Sequence, residues 1–89
     1  MPKPTKQEII AVLCALYIVC GESIHCHKRP ETIRKKVSIK IGTKTVKRAL
    51  EILCNQGLVW RHGGRNTYGL TKEGIRLAKM ICRELFEGI

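Results

Sequence analysis

Apolar residues are spread unevenly along the chain, and the densest run is IIAVLCALYIVC at residues 9–20. Thr5 and Glu8, just before this run, have the spacing of a capping box. In a capping box, two side chains accept hydrogen bonds from backbone amides at the start of a helix. The pattern predicts a helix over residues 5–20 that is apolar all round and must be covered on both sides. One side carries a strong stripe: Ile9, Val12, Leu13, Leu16 and Cys20. The opposite side is smaller: Ala11, Cys14, Ala15 and Ile18.

This run has two other interpretations. A membrane-spanning helix needs about twenty apolar residues, so the run is too short to cross a bilayer. An export signal would use Lys3 and Lys6 as its basic start, but no convincing cleavage site follows Cys20. The capping box favours a helix inside a folded domain, which we adopt.

The polar segment after this run carries weaker signals. A short strand at residues 23–26 is one interpretation of it. Pro30 then suits the first turn of a second helix, predicted over residues 30–38. Ile33 and Val37 have the i, i+4 spacing of that helix's buried side.

The alternation over residues 37–41 also fits a strand, and Gly42 ends either element. A third helix is predicted over residues 43–55, with Thr43 as a good N-cap residue. Its inner face is apolar: Val46, Ala49, Leu50 and Leu53. Its outer face is polar and basic: Lys44, Thr45, Lys47, Arg48 and Asn55.

Two β-prone runs flank Gly63-Gly64, a pair able to take the positive φ values of a tight turn. They predict a hairpin over residues 58–70. Thr71 caps a last helix, predicted over residues 71–87. Its apolar stripe is long: Ile75, Ala78, Cys82, Leu85 and Phe86. Three further residues broaden it beyond one core contact: Leu77, Met80 and Ile81.

The net positive charge of the chain indicates which kind of partner it favours. Its 89 residues include 17 Lys and Arg against 7 carboxylates, for a formal net charge of +10. Nine of the basic residues, and only one carboxylate, lie between Lys28 and Arg48. Such an excess favours polyanionic partners, either nucleic acid or an anionic membrane surface.

The five cysteines are odd in number and scattered, unlike those of a secreted disulfide scaffold. Three lie on apolar faces and are expected to be small buried hydrophobes: Cys14, Cys54 and Cys82. A disulfide within or between subunits stays open. One cluster has side chains of metal-ligating type: Cys20, His25, Cys26 and His27. Its spacing matches no standard zinc site, so no metal and no cofactor are predicted.

An enzyme is not expected. The glutamates are dispersed, and no arrangement of Ser, His and Asp or of Cys and His marks a nucleophile. No glycine-rich phosphate-binding loop follows a predicted strand.

Three motifs stand in order and at suitable spacing: TVKRAL at residues 45–50, GLV at 57–59 and YGLTKEG at 68–74. Through them, residues 42–78 resemble the recognition helix, wing and following helix of small winged-helix (winged helix-turn-helix) transcription regulators. The chain is similar to MarR-, PadR- and ArsR-type domains and to small archaeal and archaeal-virus regulators. The resemblance implies one α+β domain over residues 1–89, of order α-β-α-α-β-β-α. Three helices would form its core, with a two-stranded wing and a C-terminal dimerisation helix.

The implied function is that of a cytoplasmic, sequence-specific double-stranded DNA-binding protein, a homodimeric transcription regulator. The recognition helix would enter the major groove, and the wing would lie on the flanking backbone or minor groove. The residues expected at DNA are Lys40, Thr43, Lys44, Thr45, Lys47, Arg48, Asn55, Arg61, His62, Arg65 and Asn66. Trp60 is expected to pack, and His62 to be exposed or to contact phosphate. A winged-helix module for RNA binding or protein assembly is the alternative.

The second expected partner is another copy of the chain, and no membrane partner is expected. One face of the first helix suffices for a domain core, which leaves apolar residues for a two-fold interface. The predicted interface residues are Ala11, Cys14, Ala15, Ile18, Leu77, Met80 and Ile81.

Overall fold

The computed structural model describes residues 3–87, with the side chains of residues 3–82. Within this part of the chain, four helices accompany one antiparallel sheet of two strands. The elements are α1 (Lys6–Cys20), α2 (Pro30–Arg34), α3 (Thr43–Asn55), β1 (Val59–His62), β2 (Thr67–Leu70) and α4 (Lys72–Glu87). The predicted α+β class is confirmed.

The start of α1 is the predicted capping box. The Thr5 hydroxyl accepts a hydrogen bond from the Glu8 amide at 3.1 Å, and the Glu8 carboxylate accepts from the Thr5 amide at 2.8 Å. At the other end, Gly21 adopts a φ of 62° and its amide donates to the Tyr17 carbonyl at 2.7 Å. A positive φ suits glycine, so the sequence fixes both ends of α1.

Both sides of α1 are covered within a single chain. Residues 11–16 are all buried, because α3 and α4 both pack on α1. A disulfide between Cys14 and Cys82 joins α1 to α4, with 5.5 Å between their Cα atoms. The prediction of a free second face is therefore wrong for the three residues that the chain buries itself: Ala11, Cys14 and Ala15. No helix within residues 3–87 is long and apolar enough to cross a membrane.

The segment after α1 lies across the hairpin, but it forms no strand at residues 23–26, where one was predicted. Only Lys28 pairs with the sheet, through two backbone hydrogen bonds with Tyr68 at 2.8 and 2.9 Å. A second disulfide joins Cys20 to Cys26 and turns the chain back on α1, so the intervening residues do not extend.

The second helix is shorter than the predicted span of residues 30–38. Pro30 does occupy its first turn, but α2 ends at Arg34. Beyond it the amides of Lys36 and Val37 donate to carbonyls three residues back rather than four, which is the tighter geometry of a terminal turn. The strand considered for residues 37–41 does not form either.

The third helix has the predicted bounds, but its N-cap is Gly42, with no side-chain capping bond, and Thr43 is the first helical residue. Its inner face is the predicted one, since the four apolar residues named above are at most 1% exposed. The chain leaves α3 through Gly57, whose φ is 76°, and enters the hairpin directly.

The hairpin is confirmed, but its turn differs from the prediction. The strands pair from Val59 with Leu70 to His62 with Thr67, which leaves a four-residue loop at 63–66. The positive φ falls at Asn66, at 52°, and not at either loop glycine. Asparagine tolerates this conformation better than most residues.

Thr71 caps α4 as predicted and also fixes the helix to the chain before the hairpin. Its hydroxyl accepts from the Gly74 amide at 3.0 Å and donates to the Gly57 carbonyl at 2.7 Å. A Cβ atom at Gly74 would collide with the backbone of Leu58, so the close approach requires glycine. One core thus joins α4, the hairpin and the three other helices.

Candidate functional site

The outer face of α3 is basic and exposed. Lys44, Lys47 and Arg48 are exposed, whereas Val46 and Ala49 on the opposite face are 0% exposed. Burial of the apolar side fixes the rotation of the helix, so the three cations must face outward. Among the side chains of residues 3–82, the salt bridge found joins Lys79 to Glu22, so none of the three is neutralised by a protein carboxylate.

The other residues on or just before α3 that were predicted to contact DNA differ in exposure. Lys40 and Asn55 are exposed, and Thr43 and Thr45 are half-buried. Glu51 is also exposed, three residues after Arg48 and four before Asn55. Residues at these spacings share one helix face. The cationic face of α3 therefore contains one carboxylate, which is absent from the predicted DNA-binding residues.

The hairpin adds three exposed polar residues. Arg61 lies on β1, and Arg65 and Asn66 lie in the loop. The Tyr68 hydroxyl lies 3.5 Å from the Asn66 side-chain oxygen, toward which it donates a long hydrogen bond. That contact orients the amide, and its NH₂ group stays available as a donor beside Arg65.

Arg61 connects the hairpin electrostatically with α3. Burial raises the pKa of the Cys54 thiol, while nearby Arg61 opposes the rise and Glu51 adds to it. Burial also raises the pKa of Tyr68, with the same opposition from Arg61. Because both groups stay protonated at neutral pH, Cys54 is not an activated nucleophile and the Tyr68 hydroxyl remains a donor.

Of the two expectations for His62, exposure is wrong and contact with phosphate stays a prediction. Its ring is half-buried and stacks on His27, with 4.9 Å between ring centroids. The Nδ1 atom of His62 is buried and has no hydrogen-bond partner among the residues that the structure describes. Trp60 packs as predicted: its indole N–H donates to the Ile24 carbonyl at 3.1 Å, and its ring meets His27 edge-on at 5.5 Å.

A polar pocket of about 200 Å³ joins the start of α2 to the hairpin loop. Arg29, Glu31, Arg65 and Asn66 line it, so two guanidinium groups, one carboxylate and one amide meet in one place. The sequence reading missed Arg29. Its only local signal was a basic residue before Pro30; the pairing with Arg65 depends on the Lys28–Tyr68 bridge, which no local pattern reveals.

The cluster considered for metal binding does not assemble. Cys20 and Cys26 are joined to each other, which removes both thiolates. Within the described residues, no group of three or more His, Cys, Asp or Glu side chains could hold a metal ion.

The apolar residues predicted to form a two-fold interface are only partly exposed to solvent. Ile18 is 45% exposed and Met80 67% exposed. Leu77 and Ile81 are half-buried and line a groove of about 320 Å³ between α1, the end of α3 and α4. The apolar surface left over is therefore smaller than the sequence suggested.

In comparisons with known proteins, no family model, no curated protein and no solved structure matches the chain.

Proposed function

We propose that this protein binds double-stranded DNA as a winged helix, with α3 as the recognition helix and the hairpin as the wing. The observation that carries the proposal is the exposed set Lys44, Lys47 and Arg48, which forms no ion pair with any carboxylate among the side chains of residues 3–82, on a helix whose opposite face is fully buried. A helix held in this way can enter the major groove without disturbing the core, since the groove accommodates one α-helix.

The cations on α3 supply two different kinds of contact. Lys44 and Lys47 suit phosphates, which give affinity without sequence information. Arg48 and Asn55 lie on the same face and suit base edges, because arginine pairs with guanine and asparagine with adenine in the major groove. Glu51 between them repels phosphate but accepts a hydrogen bond from the cytosine amino group. Its presence on this face favours sequence-dependent binding.

The wing extends the same surface. Arg61 lies close enough to α3 to act on Cys54, so the first strand continues the cationic face. Arg65 and Asn66, with Arg29 across the small pocket, suit a phosphate or a narrow minor groove, where arginine is attracted. Glu31 lines the same pocket and offsets one of the two positive charges.

A homodimer belongs to the proposal. Ile18 on α1 and Met80 on α4 are large exposed apolar residues on two helices that pack together, so they offer apolar surface for contact with a second copy. A two-fold dimer would pair two recognition helices for adjacent half-sites. Sedimentation at micromolar concentration tests this part: a species of twice the 10.1 kDa chain mass supports it, and a monomer contradicts it.

The DNA proposal is tested with two triple variants of equal charge. In the first, Lys44, Lys47 and Arg48 become Gln; in the second, Lys6, Lys72 and Arg76 become Gln, all exposed outside α3 and the hairpin. Both lose three positive charges. We expect the α3 variant to lose about a hundredfold or more in affinity for duplex DNA, and the control to lose much less.

Equal losses would mean that net charge, rather than α3, binds the duplex. Stronger binding to single-stranded RNA than to duplex DNA would favour RNA as the partner. Circular dichroism of both variants checks that the helices persist.

A further inference from the structure

Residues 21–28, here called the bridging segment, connect the end of α1 to the hairpin. A disulfide joins it to α1: Cys20 is the last residue of α1, and Cys26 lies in the segment, beside the hairpin. A Cβ atom at Gly69 on β2 would collide with the Cys26 carbonyl oxygen and the Trp60 ring. The backbone of the segment therefore packs directly on the sheet.

Polar contacts from this segment to the hairpin come from residues on either side of Cys26. Ahead of it, the Ile24 carbonyl accepts from the Trp60 indole at 3.1 Å. After it, Lys28 exchanges two backbone hydrogen bonds with Tyr68.

His27 adds side-chain contacts. Its Nδ1 atom lies 2.8 Å from the Thr67 hydroxyl oxygen, and its ring touches both Trp60 and His62. The bridging segment thus contacts both strands of the wing.

Little else holds the segment in place. Ser23, Ile24 and His25 are exposed. The ion pair of Glu22 with Lys79 has side chains that are 58% and 54% exposed, and pairs of that kind contribute little. Segments with few buried contacts open locally before the rest of a fold. The disulfide is the covalent restraint on this one, and it holds Cys26 at the end of α1.

The two disulfides differ in accessibility. Cys14 and Cys82 are 6% and 1% exposed, whereas Cys20 and Cys26 are both half-buried. Thiol–disulfide exchange requires a thiolate to reach a sulfur atom. The Cys20–Cys26 bond is therefore the more accessible of the two to a thiolate, whereas the Cys14–Cys82 bond requires opening of the core.

We propose that the Cys20–Cys26 disulfide is a thiol-exchange site that keeps the wing ordered. Reduction by a dithiol should therefore lower the affinity of the protein for DNA. The DNA part rests on the proposed function; the ordering of the wing does not.

The exchange balances with a small-molecule dithiol. One thiolate attacks a sulfur of the bond and forms a mixed disulfide, releasing the other cysteine as a thiolate that takes up a proton. The second thiolate of the reagent then displaces the remaining cysteine and closes a cyclic disulfide. Two electrons and two protons pass to Cys20 and Cys26, and the reagent is oxidised.

Alkylation of the native protein tests the selectivity. Cys54 is the free cysteine among the five, so it provides the starting label. Graded dithiol should add labels at Cys20 and Cys26 at concentrations about tenfold or more below those that release Cys14 and Cys82. Simultaneous release of both bonds would overturn the proposal.

Trp60 is the one tryptophan in the sequence, so its fluorescence reports on the wing. Reduction should make Trp60 about twofold more accessible to acrylamide, because the indole loses the Ile24 carbonyl and the His27 ring. Hydrogen exchange at the paired amides of Lys28 and Tyr68 should accelerate in parallel. The double variant Cys20→Ala/Cys26→Ala should show both changes without reductant. A Cys54→Ala variant is the matched control and should respond like the parent.

If Trp60 and both amides stay unchanged in the reduced protein, the segment is held without its disulfide and the proposal is wrong. If they change, duplex affinity should fall about tenfold, as expected for the loss of one or two phosphate contacts. Unchanged affinity would overturn the control of DNA binding. Absence of DNA binding in both states would instead refute the proposed function, and the fluorescence and exchange results would still decide the ordering of the wing.

Discussion

The two ends of this molecule are held together in opposite ways. Where α1 meets α4, stability comes from burial: residues 11–16 are inaccessible, and a buried disulfide spans a sequence separation of 68. Where the hairpin meets the bridging segment, the contacts are a few hydrogen bonds and the ring contacts of His27, and the disulfide spans a separation of 6. A fold of this size can therefore keep a rigid core while the surface that carries its arginines depends on a few local contacts.

Removal of the buried disulfide should produce the largest loss of stability. The chain-entropy relation links the loss of unfolding free energy to the length of the loop that each disulfide closes. It gives about 4 kcal/mol for Cys14→Ala/Cys82→Ala and about 2 kcal/mol for Cys20→Ala/Cys26→Ala. Urea denaturation of the two double variants measures the difference. If the short-loop variant proves the less stable, the contrast between the two ends is wrong.

The two faces of α3 sharpen the comparison within one helix. Leu50 is fully buried, so Leu50→Ala should cost about 3 kcal/mol of unfolding free energy. Lys47 is exposed, so Lys47→Ala should change stability by less than about 0.5 kcal/mol and still weaken DNA binding. Denaturation and duplex titration of both variants form the test. A loss of stability in Lys47→Ala equal to that in Leu50→Ala would refute the division of α3 into two faces.

The smallest predicted effect is a dependence of stability on alkaline pH. Burial raises the pKa of Cys54 and of Tyr68, so the folded chain holds both protons more tightly than the unfolded chain. The free energy of unfolding should therefore decline once the pH passes 9.0, the ordinary pKa of the thiol. Urea midpoints at about pH 8 and about pH 10 measure it, and Cys54→Ala should flatten the decline. A midpoint that rises with pH would contradict the burial argument.

Local signals predicted most of the elements. The capping box at Thr5, the apolar period of α3 and the Thr71 cap each act within a few residues, so they can be read without knowledge of the fold. The exposed cations on α3 follow from the same period, because a buried face dictates the opposite one.

Contacts between residues far apart in the sequence could not be predicted. The small residues of α1 seemed to require a second copy, yet α4 of the same chain packs on α1 and binds Cys14 through Cys82. Arg29 joins the site only because Lys28 pairs with Tyr68 across 40 residues of chain. His62, placed at an exposed turn by its neighbours, is covered by His27 from the same segment. None of these contacts has a local period or motif.

The salt dependence of duplex binding tests the central claim most directly, namely that the α3 and wing cations neutralise DNA phosphates. Fluorescence anisotropy with a labelled duplex gives the affinity over a range of salt concentrations. With roughly six to ten phosphate contacts per dimer, the logarithm of affinity should fall against the logarithm of salt with a slope of about −5 to −9. The Lys44, Lys47 and Arg48 triple variant should have a slope shallower by about two for each chain bound, about one for each of the two phosphate-binding lysines. A slope near zero in the parent, or the same slope in parent and variant, would contradict the account.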